Sequence, residues 1–163
     1  MDDVLSHAKT VVDCSKGIDL LENSEGTDPH IWLDPARAQQ MVDNLTAGLT
    51  AVYPEHEAAF AENATVLKAR LQALDEEGKK ALSDISCREL ITFHDGFGYL
   101  ASHFDLTILA AIEEEAGAEA SAASLTEIID LVNTHNLPAV FTEANGSDAA
   151  ASVIESETGV PHF

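Results

Sequence analysis

Three residues of the sequence combine metal-binding side chains with positions at the ends of predicted elements. His94 directly follows the predicted strand ELITF, and Glu143 ends the predicted strand PAVFTE. Ligands of open α/β sheets bind outside the carboxyl ends of the strands, so both side chains are expected at one sheet edge. His30 lies in TDPHIWLDP, just before a predicted helix start. Two imidazoles and a carboxylate suit Zn²⁺, and the carboxylate shifts the preference toward harder ions such as Mn²⁺.

Each candidate also has an ordinary structural explanation, which the local sequence leaves open. A histidine after a strand is more often packed or hydrogen-bonded than bound to a metal. The acidic run at 113–119 is typical of a solvated loop, although Glu113, Glu114 or Glu115 could supply a further oxygen ligand, with Glu115 as the leading candidate. The other histidines are expected at solvent-exposed or structural positions: His7, His56, His103, His135 and His162.

The composition argues against several classes of function. The chain carries 29 acidic and 8 basic residues, a net charge of −21, so too few cations are present to replace phosphate counterions on DNA or RNA. The sequence contains no Walker A, G-x-S-x-G, G-x-G-x-x-G or H-E-x-x-H motif. No apolar run approaches the roughly 18 residues of a membrane span. Residues 1–20 lack the features of a signal peptide, which fits a cytosolic protein or one whose leader has been removed.

Cap signals and hydrophobic spacing predict the elements of the first half of the chain. Residues 10–15 are expected to form a short buried strand. Asp34 and Pro35 have the residue types of a helix N-cap and first helical position, and Trp32 is expected to pack just before them. A second, long helix is predicted over 55–85. Such a helix is suited to joining two bodies.

After Cys87 the pattern changes to short apolar strands that alternate with helices. We expect strands at 89–93, 106–112, 138–143 and 160–163, and helices at 96–104, 124–135 and 147–158, the middle one opened by a capping box at Ser124. This order predicts parallel strands with helices on the faces of the sheet. The predicted divisions of the chain are 1–34, 35–86 and 87–163. Cys14 and Cys87 form no metal-binding pattern and could be free thiols or one disulfide.

Three blocks of the sequence carry a resemblance to a known family. DPHIWLDPARAQQMVDNL, ITFHDGFGYLASHFDLTIL and AVFTEANGSDAAASVIESETGVP resemble the solute-binding proteins of zinc and manganese ABC importers, the metal-binding lipoprotein and adhesin family. The resemblance implies an α/β fold in which a long connecting helix joins a parallel-sheet, three-layer lobe, half of a two-lobe protein. It implies that His30, His94 and Glu143 bind Zn²⁺ or Mn²⁺, which is then passed to a membrane permease.

Departures from the family pattern shape the remaining expectations. Most of a first lobe is missing before residue 27, and a further acidic ligand and a final helix would follow Phe163, so the chain resembles a truncated form. A site of this kind would be incomplete, and exposed apolar surface would favour a homodimer or a domain swap. The family implies an extracellular lipoprotein or a periplasmic protein.

The leading hypothesis is therefore a non-catalytic binding protein for zinc or manganese. A metal-dependent hydrolase is a second possibility, because two histidines and a carboxylate with an open position also describe a catalytic zinc site. The third is a metal-free adhesion or scaffold module, whose melting temperature would not respond to metal or chelator.

Overall fold

The computed structural model describes residues 7–23, 26–113, 120–143 and 148–163 of the chain. The chain divides into two compact units, each built from two segments. The first unit comprises Met1–Asp19 and Ile31–Gly78, and the second comprises Leu20–His30 and Lys79–Phe163. The sequence-based division at 34/35 and 86/87 stays a prediction.

Two helices dominate the first unit. Helix α1 spans Pro35–Val52, after a 3-10 turn at Ile31–Leu33, and helix α2 spans Glu57–Ala81, after a 3-10 turn at Pro54–His56. The 25 residues of α2 make it about 37 Å long, so the predicted long helix is present, although it begins and ends slightly inside the predicted range. The boundary between the two units falls within α2, after Gly78.

The start of α1 follows the predicted capping chemistry. The Asp34 carboxylate accepts hydrogen bonds from the main-chain N–H groups of Ala36, at 2.8 Å, and Arg37, at 3.2 Å. Pro35 occupies the first turn, where its missing N–H has no intrahelical partner to lose. The Arg37 guanidinium also contacts Asp34. The start of this helix is therefore capped by a residue that the local sequence identifies.

Two expectations for the first unit are wrong. Residues 10–15 form no strand and none of them is buried; residues 14–17 form a turn instead. The segment lies along α1, where the Asn44 side chain donates to the main-chain oxygens of Cys14 and Lys16, both at 2.9 Å. The main chain of this segment is therefore hydrogen-bonded to a helix side chain, and not to a neighbouring strand as the apolar pattern predicted. Trp32, expected to be packed, is 55% exposed.

The second unit contains the strands and the remaining helices. Its elements are β1 (Glu22–Asn23), β2 (Gly26–Thr27), β3 (Glu89–His94), α3 (Gly98–Phe104), β4 (Thr107–Glu113), α4 (Ala122–His135) and α5 (Ala149–Thr158). Strands β3 and β4 pair in parallel, with His94 beside Glu113 at their carboxyl ends. The alternation of strands and helices after Cys87 confirms the predicted α/β class.

The last two predicted strands are reduced to a short parallel pairing. Val140 and His162 form a single bridge, which is flanked by a 2.7 Å hydrogen bond from Thr142 N–H to Phe163 O. The predicted capping position is also shifted, because α4 begins after Ser121, whose side chain accepts from Ser124 N–H. The capping residue therefore precedes the predicted one by three positions.

An apolar core joins β3 and β4 to the two last helices. Its buried members are Ile91, Phe93, Ile112, Ile128, Val132, Leu137, Val140 and Ile154. Burial of successive residues in β3 is typical of a strand with both faces covered. Packing of this kind fixes the carboxyl end of β3, from which His94 projects.

Two further properties bear on the class of protein. None of the helices in the described ranges is long and apolar enough to cross a membrane. Cys14 and Cys87 are both free thiols, which decides between the two alternatives that the sequence left open.

Candidate metal centre

His30 is held by the loop that precedes the first unit's 3-10 turn. The Oδ1 atom of Asp28 lies 2.7 Å from His30 Nδ1 and 2.9 Å from the main-chain nitrogen of His30. Asp28 is only 2% exposed. Its carboxylate therefore orients both the main chain and the ring of His30.

The loop itself is anchored by a tyrosine of α3. The hydroxyl of Tyr99, which is completely buried, donates to the main-chain oxygen of Asp28 at 3.0 Å and accepts from Leu21 N–H at 2.9 Å. The Asn23 side chain adds a hydrogen bond of 3.1 Å to the main-chain oxygen of Asp95, directly after His94. These long-range bonds bring His30 to the end of β3.

His94 meets Glu143, as the reasoning about the sheet edge predicted. The Nδ1 atom of His94 contacts Oε1 of Glu143, 49 residues later in the chain. The main-chain oxygen of His94 accepts from the Thr92 hydroxyl and from Gly96 N–H, both at 3.0 Å. The His94 ring is therefore held both by its side-chain nitrogen and through its main chain.

The two imidazoles lie side by side above Gly96. Their ring centroids are 5.2 Å apart, with the ring planes inclined by 60°. A side-chain carbon at Gly96 would come within 2.3 Å of His94 Nε2 and 2.9 Å of His30 Cε1, so the rings occupy the space that a larger residue would fill. Two imidazoles on one tetrahedral zinc ion have ring centroids roughly 5 Å apart, so this separation suits a shared metal.

The acidic candidates have different outcomes. Glu115 lies outside the described residues. Its neighbour Glu113 pairs in register with His94 and is 8% exposed, so a carboxyl group is buried at the same sheet edge. Within the ranges that the structure describes, no set of three or more His, Cys, Asp and Glu side chains is arranged to hold a metal ion. Direct coordination by Glu143 stays a prediction.

The hydrogen bonds define what the two histidines can do. An ionised carboxylate accepts and does not donate, so a hydrogen bond to either carboxylate requires a proton on Nδ1 of the histidine. A neutral imidazole in this state is a metal ligand through Nε2, and a carboxylate on Nδ1 is the usual partner of a metal-bound histidine. The chemistry of the pair therefore fits zinc.

Asp28 is not among the site residues predicted from the sequence. The spacing Asp-x-His was the available signal, because an aspartate can bond the backbone and side chain two residues on. Three histidines that were not predicted as ligands have other contacts: His135 contacts Glu89 at 2.9 Å, His162 contacts Glu155, and His103 packs edge-on against Phe104.

Comparison with known sequences finds a family and relatives whose names all refer to zinc uptake or zinc binding. The family model described as ZnuA, zinc-uptake complex component A periplasmic, matches residues 1–163. The zinc-binding lipoprotein AdcA of Streptococcus pneumoniae serotype 4 is 35% identical over 133 residues, covering 82% of this chain and 26% of that protein. The high-affinity zinc uptake system protein ZnuA of Bacillus subtilis is 32% identical, covering 91% of this chain and 51% of that protein.

Solved structures give the same picture. The laminin-binding protein Lmb of Streptococcus agalactiae superposes with a TM-score of 0.87 at 28% identity, over 99% of this chain and 63% of that one. The AdcAII protein of Streptococcus pneumoniae superposes with a TM-score of 0.83 at 30% identity, over 99% and 62%. The chain thus spans about a quarter to a half of the two curated relatives and about three fifths of the solved chains.

Proposed function

We propose that this chain, which belongs to the ZnuA family of zinc-uptake components, is the zinc-binding part of the solute-binding protein of an ABC importer. The family match over residues 1–163 confirms the resemblance seen in the sequence. The chain spans 51% of the Bacillus subtilis relative and 26% of the Streptococcus pneumoniae relative. The importer role is therefore proposed for a full-length protein of this family that contains the chain.

The observation that carries the proposal is the convergence of two oriented imidazoles. His30 and His94 lie 5.2 Å apart by ring centroids, and a carboxylate occupies Nδ1 of each. In this proposal their Nε2 atoms bind the zinc ion directly. The remaining positions are filled by water or by a residue from outside this chain, while the Glu143 carboxylate lies against Nδ1 of His94.

Zinc is the proposed cargo in preference to manganese. Imidazole nitrogen binds Zn²⁺ more strongly than Mn²⁺, which favours oxygen ligands. The relatives support zinc, since AdcA and ZnuA are named for zinc binding and zinc uptake. Manganese binding remains the alternative and is expected to be weaker.

The proposed partner and location follow from the family. The cargo is handed to a membrane permease, and the protein works outside the cytoplasmic membrane, in the periplasm or as a surface lipoprotein. The role is non-catalytic. Zinc-dependent hydrolysis of a generic ester would instead support the hydrolase alternative, and a melting temperature that ignores zinc would support a metal-free adhesion module.

Titration calorimetry with Zn²⁺ tests the proposal. We expect one zinc ion to bind, and we expect His30→Ala and His94→Ala each to weaken binding by more than about 100-fold, because each removes a direct ligand. His135→Ala is the matched control, because His135 also contacts a carboxylate through Nδ1 but lies at another place in the fold. No heat of binding, or equal binding by all three variants, would refute the proposal.

A further inference from the structure

We propose that Asp28 and Glu143 are positioning residues, each of which fixes one imidazole in the Nδ1–H tautomer and so presents its Nε2 lone pair to the metal. The consequence for zinc affinity rests on the proposed function. The tautomers themselves are a property of the metal-free protein and can be measured independently.

The Asp28 contact has the geometry of an orienting bond. One oxygen, Oδ1, accepts from both the main-chain nitrogen and Nδ1 of His30, at 2.9 and 2.7 Å. Rotation of the ring would break the second bond and leave a charge that is 98% buried with one fewer donor, which is costly. The Tyr99 hydroxyl donates to the main-chain oxygen of Asp28 at 3.0 Å, which restrains the backbone that carries the acceptor.

Glu143 makes the equivalent contact with His94 from a different part of the chain. Its Oε1 atom bonds the same ring nitrogen, Nδ1, although 49 residues separate the two residues. The segment that carries Glu143 is tied to the end of the chain by hydrogen bonds from Val140 N–H to Pro161 O, at 3.1 Å, and from Thr142 N–H to Phe163 O, at 2.7 Å. Two unrelated segments thus supply one carboxylate to each ring.

The same contact also limits what Glu143 can do directly. Nδ1 and Nε2 lie on opposite sides of an imidazole ring, so an oxygen bonded to Nδ1 faces away from a metal on Nε2. Glu143 therefore acts through His94 in this proposal and is not itself a ligand. A carboxylate in this position fixes the tautomer and raises the basicity of the ligating nitrogen, and its loss usually lowers metal affinity by about 10–100-fold.

Zinc titration of substituted proteins provides the first test. We expect Glu143→Ala and Asp28→Ala to weaken zinc binding by about 10–100-fold, and Glu143→Gln and Asp28→Asn to recover part of the loss, because an amide oxygen still accepts from Nδ1–H. The control is Glu89→Gln, which changes the carboxylate that faces Nδ1 of His135 at 2.9 Å. Its zinc affinity should stay within about twofold of the parent.

Nitrogen NMR of the metal-free protein, with ¹⁵N-labelled histidine at about pH 8, provides the second test. We expect His94 and His30 in the parent protein to carry the proton on Nδ1. Glu143→Ala should move the His94 proton toward Nε2 and leave His30 unchanged, and Asp28→Asn should keep the His30 proton on Nδ1.

The two measurements separate the possible results. If Glu143 is a direct ligand, Glu143→Gln will lose as much affinity as His94→Ala while the tautomer of His94 stays unchanged, which would overturn the proposal. An unchanged zinc affinity in Glu143→Ala would overturn it as well. If the parent protein binds no zinc, the proposed function fails, yet the NMR experiment still decides whether the carboxylates set the tautomers.

Discussion

At the scale of single residues, the site depends on side chains that bond across large sequence separations. Tyr99 is the clearest case, because its buried hydroxyl joins α3 to the loop that carries Asp28 and His30. Without it, the Leu21 N–H and the Asp28 carbonyl would each lose a partner. A buried tyrosine of α3 thus holds the segment that carries one of the two imidazoles.

Tyr99→Phe is therefore expected to lower the free energy of unfolding by about 1–3 kcal/mol, because two main-chain groups lose their hydrogen bond. Urea denaturation measures the change. Tyr53→Phe is the control, since Tyr53 is 50% exposed and its substitution should change stability by less than about 0.5 kcal/mol. Equal effects of the two substitutions would show that the Tyr99 hydroxyl does not anchor the loop.

At the scale of elements, helix termini and strand ends determine where functional residues appear. α1 starts at Pro35, after the 3-10 turn that follows His30. The cap at Asp34 therefore fixes how many residues separate His30 from the helix. β3 ends at His94, and its parallel partner β4 ends beside it at Glu113. The carboxyl edge of this sheet is where α/β proteins place their ligands, and the proposed zinc ligand His94 lies there.

Asp34→Ala tests the helix start. We expect it to lower the free energy of unfolding by about 1–2 kcal/mol, because the N–H groups of Ala36 and Arg37 lose their acceptor. Asp34→Asn retains an acceptor oxygen and should cost less. Thermal and urea unfolding followed by circular dichroism measure both variants. A loss as large for asparagine as for alanine would mean that the charge, through Arg37, matters more than the cap.

At the scale of the whole molecule, the net charge and the exposed apolar side chains have separate consequences. A charge of −21 attracts cations without specificity, whereas the two-histidine site selects by coordination. On α2, Val66, Leu67 and Leu74 are 57%, 43% and 55% exposed, an apolar exposure that favours association.

Zinc should stabilise the folded chain through binding linkage. At a free concentration of about 100 times Kd the gain is about 2.7 kcal/mol, which corresponds to a rise in melting temperature of about 5–10 °C for a chain of this size. EDTA should reverse the rise. Mg²⁺ at the same concentration controls for general binding to the acidic surface, and an equal rise with Mg²⁺ would mean that charge, and not the histidines, is responsible.

Self-association through α2 is the second prediction at this scale. We expect sedimentation equilibrium to detect a concentration-dependent dimer, because exposed leucine and valine side chains gain by leaving water. Leu74→Glu should weaken it, and Glu77→Gln on the same helix should not. A monomer at every concentration would contradict the homodimer expected from the sequence.

Features that depend on short windows of chain could be predicted from the sequence. The cap at Asp34, the positions of β3 and β4 to within one residue, and the family pattern around His30 and His94 are all local in sequence, because helix and strand preferences act over a few residues. The strand predicted at residues 10–15 is wrong, because this apolar run has no strand partner and the Asn44 side chain bonds the carbonyl of Cys14 instead.

Which atoms of the site meet depends on long-range packing and could not be predicted from the sequence. Sequence reasoning brought His94 and Glu143 to one sheet edge, but the contact at Nδ1 depends on how strand packing and the Val140–His162 bridge place the two side chains. The role of Asp28 likewise required the Tyr99 anchor, 71 residues away in the chain. Hydrogen bonds depend on distances that differ by fractions of an ångström, and long-range packing determines those distances. Residue spacing identifies only which side chains are candidates for the site.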